Sequence, residues 1–93
     1  MREISLVLLA QDDATPIAEL VWSEARTRIV SATEAMRPEL ERRVGEGLLE
    51  WIGHPDDPIP RSTASSDPLF LERLAAYLHR RSSIKSELRD SGP

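Results

Sequence analysis

The 93 residues suffice for one domain with a thin core: 40% are hydrophobic and only 4% aromatic. The absence of cysteine excludes disulfides and Cys-based zinc sites, and fits a reducing cytoplasm. The net charge of −4 is uneven: residues 1–72 carry seven Lys/Arg against fourteen Asp/Glu, and residues 73–93 carry five against two. An acidic body disfavours general nucleic-acid affinity, which needs a positive surface, so any such affinity falls to the basic C-terminal end.

Ile4–Ala10 reads as a first strand. Ile4, Leu6 and Leu8 alternate with Val7 and Leu9, so both faces are apolar. That pattern suits a central strand covered on both sides, or one whose second face seeks another copy of the chain. The run is too short to span a membrane and two aspartates follow it at once, so no membrane partner and a cytoplasmic location are expected. Gln11–Pro16 is a turn by composition. Ile17–Trp22 is a second strand, with Ala18, Leu20 and Trp22 on one face and Ile17, Glu19 and Val21 on the other. Ser23–Arg26 makes a short turn without glycine, and Thr27–Ala32 is a third strand rich in β-branched residues. These connections are too short for parallel crossovers, so an antiparallel meander is expected.

Near residue 33 the hydrophobic period changes from two to about 3.6. Met36, Leu40, Val44 and Leu48, with Trp51 or Ile52, form an amphipathic stripe. A single helix over 34–52 is expected, starting at a Thr33 cap or at Pro38, although Gly45 and Gly47 weaken it. Residues 53–66, with Pro55, Pro58 and Pro60, read as a semi-extended connector. A second helix follows, with Asp67 as its cap, Pro68 as its first residue and His79, Arg80 and Arg81 in its last turn. Ile84 and Leu88, four apart, admit a short third helix, and residues 90–93 read as a frayed tail after a single domain over 1–89. The expected fold class is α+β: a three-stranded antiparallel meander, two main helices, and a short C-terminal third.

Motifs for chemistry are weak. Ser82 and Lys85 have the Ser-x-x-Lys spacing of serine acylases, without the partner motifs of those enzymes. His54, Asp56 and Asp57 and the pair Asp12–Asp13 offer ligands for a cation only if two loops converge. A triad of His54, Asp56 and Ser62, Ser65 or Ser66 lacks a nucleophile elbow. No catalytic residue, metal or cofactor is therefore expected. The best candidate binding patch is His79, Arg80, Arg81, Lys85 and Arg89, the last three aligned if the helix continues. A second candidate is an interface on the sheet: Val7, Leu9, Ile17, Val21 and Trp22. Trp22 and Trp51 end their elements and serve as core anchors, or as recognition anchors where exposed. The expected role is a small non-enzymatic interaction module, self-associating or serving as an accessory subunit. Nucleic-acid binding or regulation through the basic end is the alternative.

Overall fold

The computed structural model describes residues 2–12, 14–46, 48–51 and 61–91. Its elements are β1 (Glu3–Leu9), β2 (Pro16–Ser23), β3 (Arg26–Ala32), α1 (Arg37–Glu46), β4 (Leu48–Trp51), β5 (Arg61–Ala64), α2 (Phe70–Ser82) and β6 (Lys85–Asp90). The fold is α+β. Its main sheet has strand order β3-β2-β1-β6 with every neighbour antiparallel, and β4 and β5 form a separate antiparallel pair.

The alternation in β1 and β2 decides which face carries the helices. Ile4, Leu6 and Leu8 stand opposite Trp22, Leu20 and Ala18. All six are buried, packed with Leu40 of α1 and Phe70, Leu71, Leu74 and Leu78 of α2. Both helices thus cover the same face. Two side chains fasten the connector before α2 to the sheet. Trp22 Nε1 donates to the Ser66 carbonyl at 2.9 Å, and Thr27 Oγ1 donates to the Ser65 carbonyl at 2.6 Å. The Trp22 ring needs that acceptor, because burying an indole N–H without one is costly.

The turns ahead of both helices use the residues that the sequence marks, Thr33 and Asp67. Thr33 caps the turn leading into α1: its Oγ1 accepts the Met36 N–H at 3.4 Å and its carbonyl accepts the Arg37 N–H at 2.9 Å. Asp67 does the same in the turn ahead of α2, its Oδ1 accepting the Leu69 N–H at 2.8 Å, but the helix itself starts at Phe70 behind Leu69, which makes no side-chain cap, and not at Pro68 behind an Asp67 cap.

Three expectations are corrected. First, the helix expected over 34–52 stops at Glu46, and Leu48–Trp51 is strand. Nothing lies within 4 Å of where a Gly45 Cβ would be, so this glycine does not serve a close backbone approach. Its effect is to weaken the helix where β4 begins. Second, residues 53–66 are not all irregular, since Arg61–Ala64 pairs with β4. Third, the C-terminal third helix is a strand, β6. Ser83 takes the left-handed conformation (φ 56°) and donates its N–H to the His79 carbonyl at 2.8 Å, which ends α2 and turns the chain back along β1. Asp90, placed in the tail by composition, ends β6. Ser91 follows, with both its N–H and its Oγ–H donating to the Glu3 carbonyl. β1 is central, as its pattern suggests, but the described residues cover it on one face only.

Candidate interaction surface

The sheet face opposite the helices is built from the other half of each alternation. Across it, in register, run Glu87, Val7, Glu19 and Ser31, and beside them Arg89, Ser5, Val21 and Arg28. Leu9 and Ile17 extend the apolar strip. The face is concave, enclosing an open volume of about 690 Å³ lined by residues that include Val7, Leu9, Ile17, Glu19, Glu87 and Arg89. Val7, Leu9 and Ile17 are half-buried, and Val21 is buried between its neighbours. Of the five sequence candidates for an interface, four therefore share this bare face. Trp22 does not: it lies on the helix side and belongs to the core.

The two edges of the sheet differ. β3 carries a bulge, since Glu19 and Leu20 pair with Ser31 and Ile29 and leave Val30 as the extra residue, and α1 packs against this strand. A bulge and a neighbouring helix both obstruct strand addition. β6 runs in unbroken register along β1 and all six of its side chains are exposed. Among them is Leu88, on the helix side of the sheet but 44% exposed.

The basic candidates do not form one stripe. His79, Arg80 and Arg81 are exposed at the end of α2, whereas Lys85 and Arg89 lie on the bare face of β6 with Glu87 between them. The left-handed turn at Ser83 separates the two groups. Arg81 donates to the Tyr77 hydroxyl at 3.1 Å, and Arg43 donates to the same oxygen at 2.7 Å while its guanidinium stacks 4.8 Å from the ring centre. Arg43 and Arg42 also hold Glu39, at 3.2 and 2.9 Å. Partial burial works against the Glu39 carboxylate, but hydrogen bonds from Arg42 and Arg43 and their charges outweigh it, leaving its pKa below the usual value. This cluster ties α1 to α2.

Ser82 and Lys85 lie on opposite sides of the Ser83 turn, so no helical turn brings them together. His54, Asp56 and Asp57, Asp13 and the side chain of Ser62 lie outside the described residues, as do the side chain of Trp51 and the loop triad that needed His54. Among the described residues, no three His, Asp or Glu side chains are grouped so as to hold a metal ion. No described helix is long and apolar enough to cross a membrane.

Sequence reading missed Glu87 and Leu88 as surface of interest. The signal was present: Lys85, Glu87 and Arg89 alternate with Ser86, Leu88 and Asp90, a period of two. The four-residue spacing of Ile84 and Leu88 concealed it.

No protein-family model, curated protein or solved structure matches this chain.

Proposed function

We propose that the protein is a small non-enzymatic interaction module that associates with a second copy of itself through its sheet. The observation that carries this reading is the placement of α1 and α2 on one side of the main sheet, which leaves the other face and the β6 edge uncovered by any helix or strand among the described residues. A sheet face bearing Val7, Leu9 and Ile17 beside charges of both signs suits protein contact better than phosphate contact. Exposed, regular edge strands favour pairing with another chain. Sedimentation velocity and light scattering over a range of concentrations test the reading. The expected result is a reversible shift from the 10.4 kDa chain to twice that mass. A strict monomer up to the solubility limit overturns it. A fluorescent oligonucleotide titrated at low salt separates the nucleic-acid alternative: tight, salt-sensitive binding lost in an Arg80→Ala/Arg81→Ala variant would favour the basic end instead.

A further inference from the structure

The β6 edge carries a more specific inference, which rests on the self-association reading above. We infer that two copies pair antiparallel through β6, with the two-fold axis at Leu88, to make one continuous eight-stranded sheet.

Backbone direction comes first. Ser91 donates its N–H to the Glu3 carbonyl, so it points towards β1. In an antiparallel ladder these directions alternate. Arg89, Glu87 and Lys85 therefore use their backbone groups on β1, and Ser86, Leu88 and Asp90 present theirs to the open edge. A second β6 meets that row with a matching one. A two-fold axis perpendicular to the sheet keeps both sets of helices on the same side and joins the two bare faces.

Charge then selects the register. With Leu88 opposite its twin, Glu87 faces Arg89 of the other copy, and Arg89 faces the other Glu87. These are non-hydrogen-bonded positions, where cross-strand side chains come closest. Ser86 meets Asp90, and the two exposed Leu88 side chains cover each other beside the helices. Moving the axis to Glu87 sets that carboxylate against itself and Lys85 against Arg89. Moving it to Arg89 sets two guanidiniums face to face. An axis at Ser86 does pair Lys85 with Glu87, but keeps only Lys85, Ser86 and Glu87 in the ladder. Charged side chains on an edge normally discourage pairing. Here they alternate in sign two residues apart, so the same charges repel in the neighbouring registers and attract in one. Exposed ion pairs of this kind set register and partner more than affinity, and the ladder and Leu88 supply the adhesion.

Charge reversal on the full chain tests this by sedimentation velocity, with circular dichroism confirming the fold. Glu87→Arg alone and Arg89→Glu alone each place like charges opposite each other, and the expected result is loss of the dimer. The double variant Glu87→Arg/Arg89→Glu restores opposite charges, and the dimer is expected to return. Glu34→Arg, an equal charge reversal in the exposed turn after β3 at the opposite edge of the sheet, should leave the dimer intact. Amide exchange gives a second readout: Ser86, Leu88 and Asp90 should exchange more slowly as concentration rises. Dimers that persist in both single variants, or a double variant that stays monomeric while folded, overturn the β6 pairing and leave self-association standing. A monomeric wild-type chain overturns self-association itself.

Discussion

On β1, Ile4, Leu6 and Leu8 point into the helices and are 3% exposed or less, while Ser5, Val7 and Leu9, interleaved with them, face outward and stay half-buried. The same contrast runs through β2, where Ala18, Leu20 and Trp22 are core and Ile17 and Glu19 are not. One face is fixed by close packing with Phe70, Leu71, Leu74 and Leu78. On the other, Val21 is buried and Ile17 packs partly against the core, while Val7 and Leu9 stay half-buried with no helix among the described residues over them. The difference separates residues that hold the fold from residues left available for contact, although the two sets are neighbours in sequence and similar in chemistry.

The sharpest way to break this contrast is a matched truncation. Leu6→Ala removes a fully buried side chain from the packed face and should cost roughly 2–5 kcal/mol in urea unfolding. Val7→Ala, one residue on, should cost within about 0.5–1 kcal/mol, as expected for a half-exposed site. Equal losses would mean that the outer face is packed as tightly as the inner one. Trp22→Phe comes next. It keeps most of the buried ring but removes the donor to the Ser66 carbonyl, and should lower stability by about 1 kcal/mol while leaving the far-ultraviolet spectrum unchanged.

The assignment of faces depends on register, which the turn between β2 and β3 helps to set. Glu24 and Ala25 both have positive φ, 50° and 60°, the signature of a primed hairpin turn built without glycine. Ala25→Gly relieves that strain, and thermal unfolding should show a gain of about 1 kcal/mol. A loss would indicate that the turn tightens through another geometry and that register is held by the strands alone.

The smallest effect concerns how the helices are held over the packed face. Glu39→Gln should cost a few tenths of a kcal/mol at neutral pH, the usual worth of partly exposed helical ion pairs. The sign with pH is fixed. A carboxyl whose folded pKa is lowered adds stability above its unfolded pKa and loses it as pH falls through the folded value. The wild-type advantage over Glu39→Gln should therefore shrink in acid. An advantage that grew in acid would contradict the pairing with Arg42 and Arg43.

Much of this molecule was legible before its structure. The first three strands, their inward sets and the starts of both helices near Thr33 and Asp67 follow from alternation and from capping chemistry, which are local. The placement of Val7, Leu9, Ile17 and Val21 on one face was legible for the same reason. Trp22 reads in the sequence both as a core anchor and as an interface candidate; the alternation of β2 groups it with Ala18 and Leu20, and packing shows that this is the face the helices take, so the core reading holds. The end of α1 was missed because the apolar spacing of Met36, Leu40, Val44 and Leu48 continues past the point where the backbone changes to strand.

What the sequence determined alone was the period of each segment and hence the two faces of β1 and β2, because side-chain direction is set within a few residues by backbone geometry. What only the tertiary structure decided was the fate of Lys85–Asp90. Six residues of mixed charge have little preference of their own, and an open edge on β1, reached through the left-handed turn at Ser83, made them a strand. That non-local choice moved Lys85 and Arg89 off an expected helix and placed Glu87 between them, on a regular edge that the described residues leave bare.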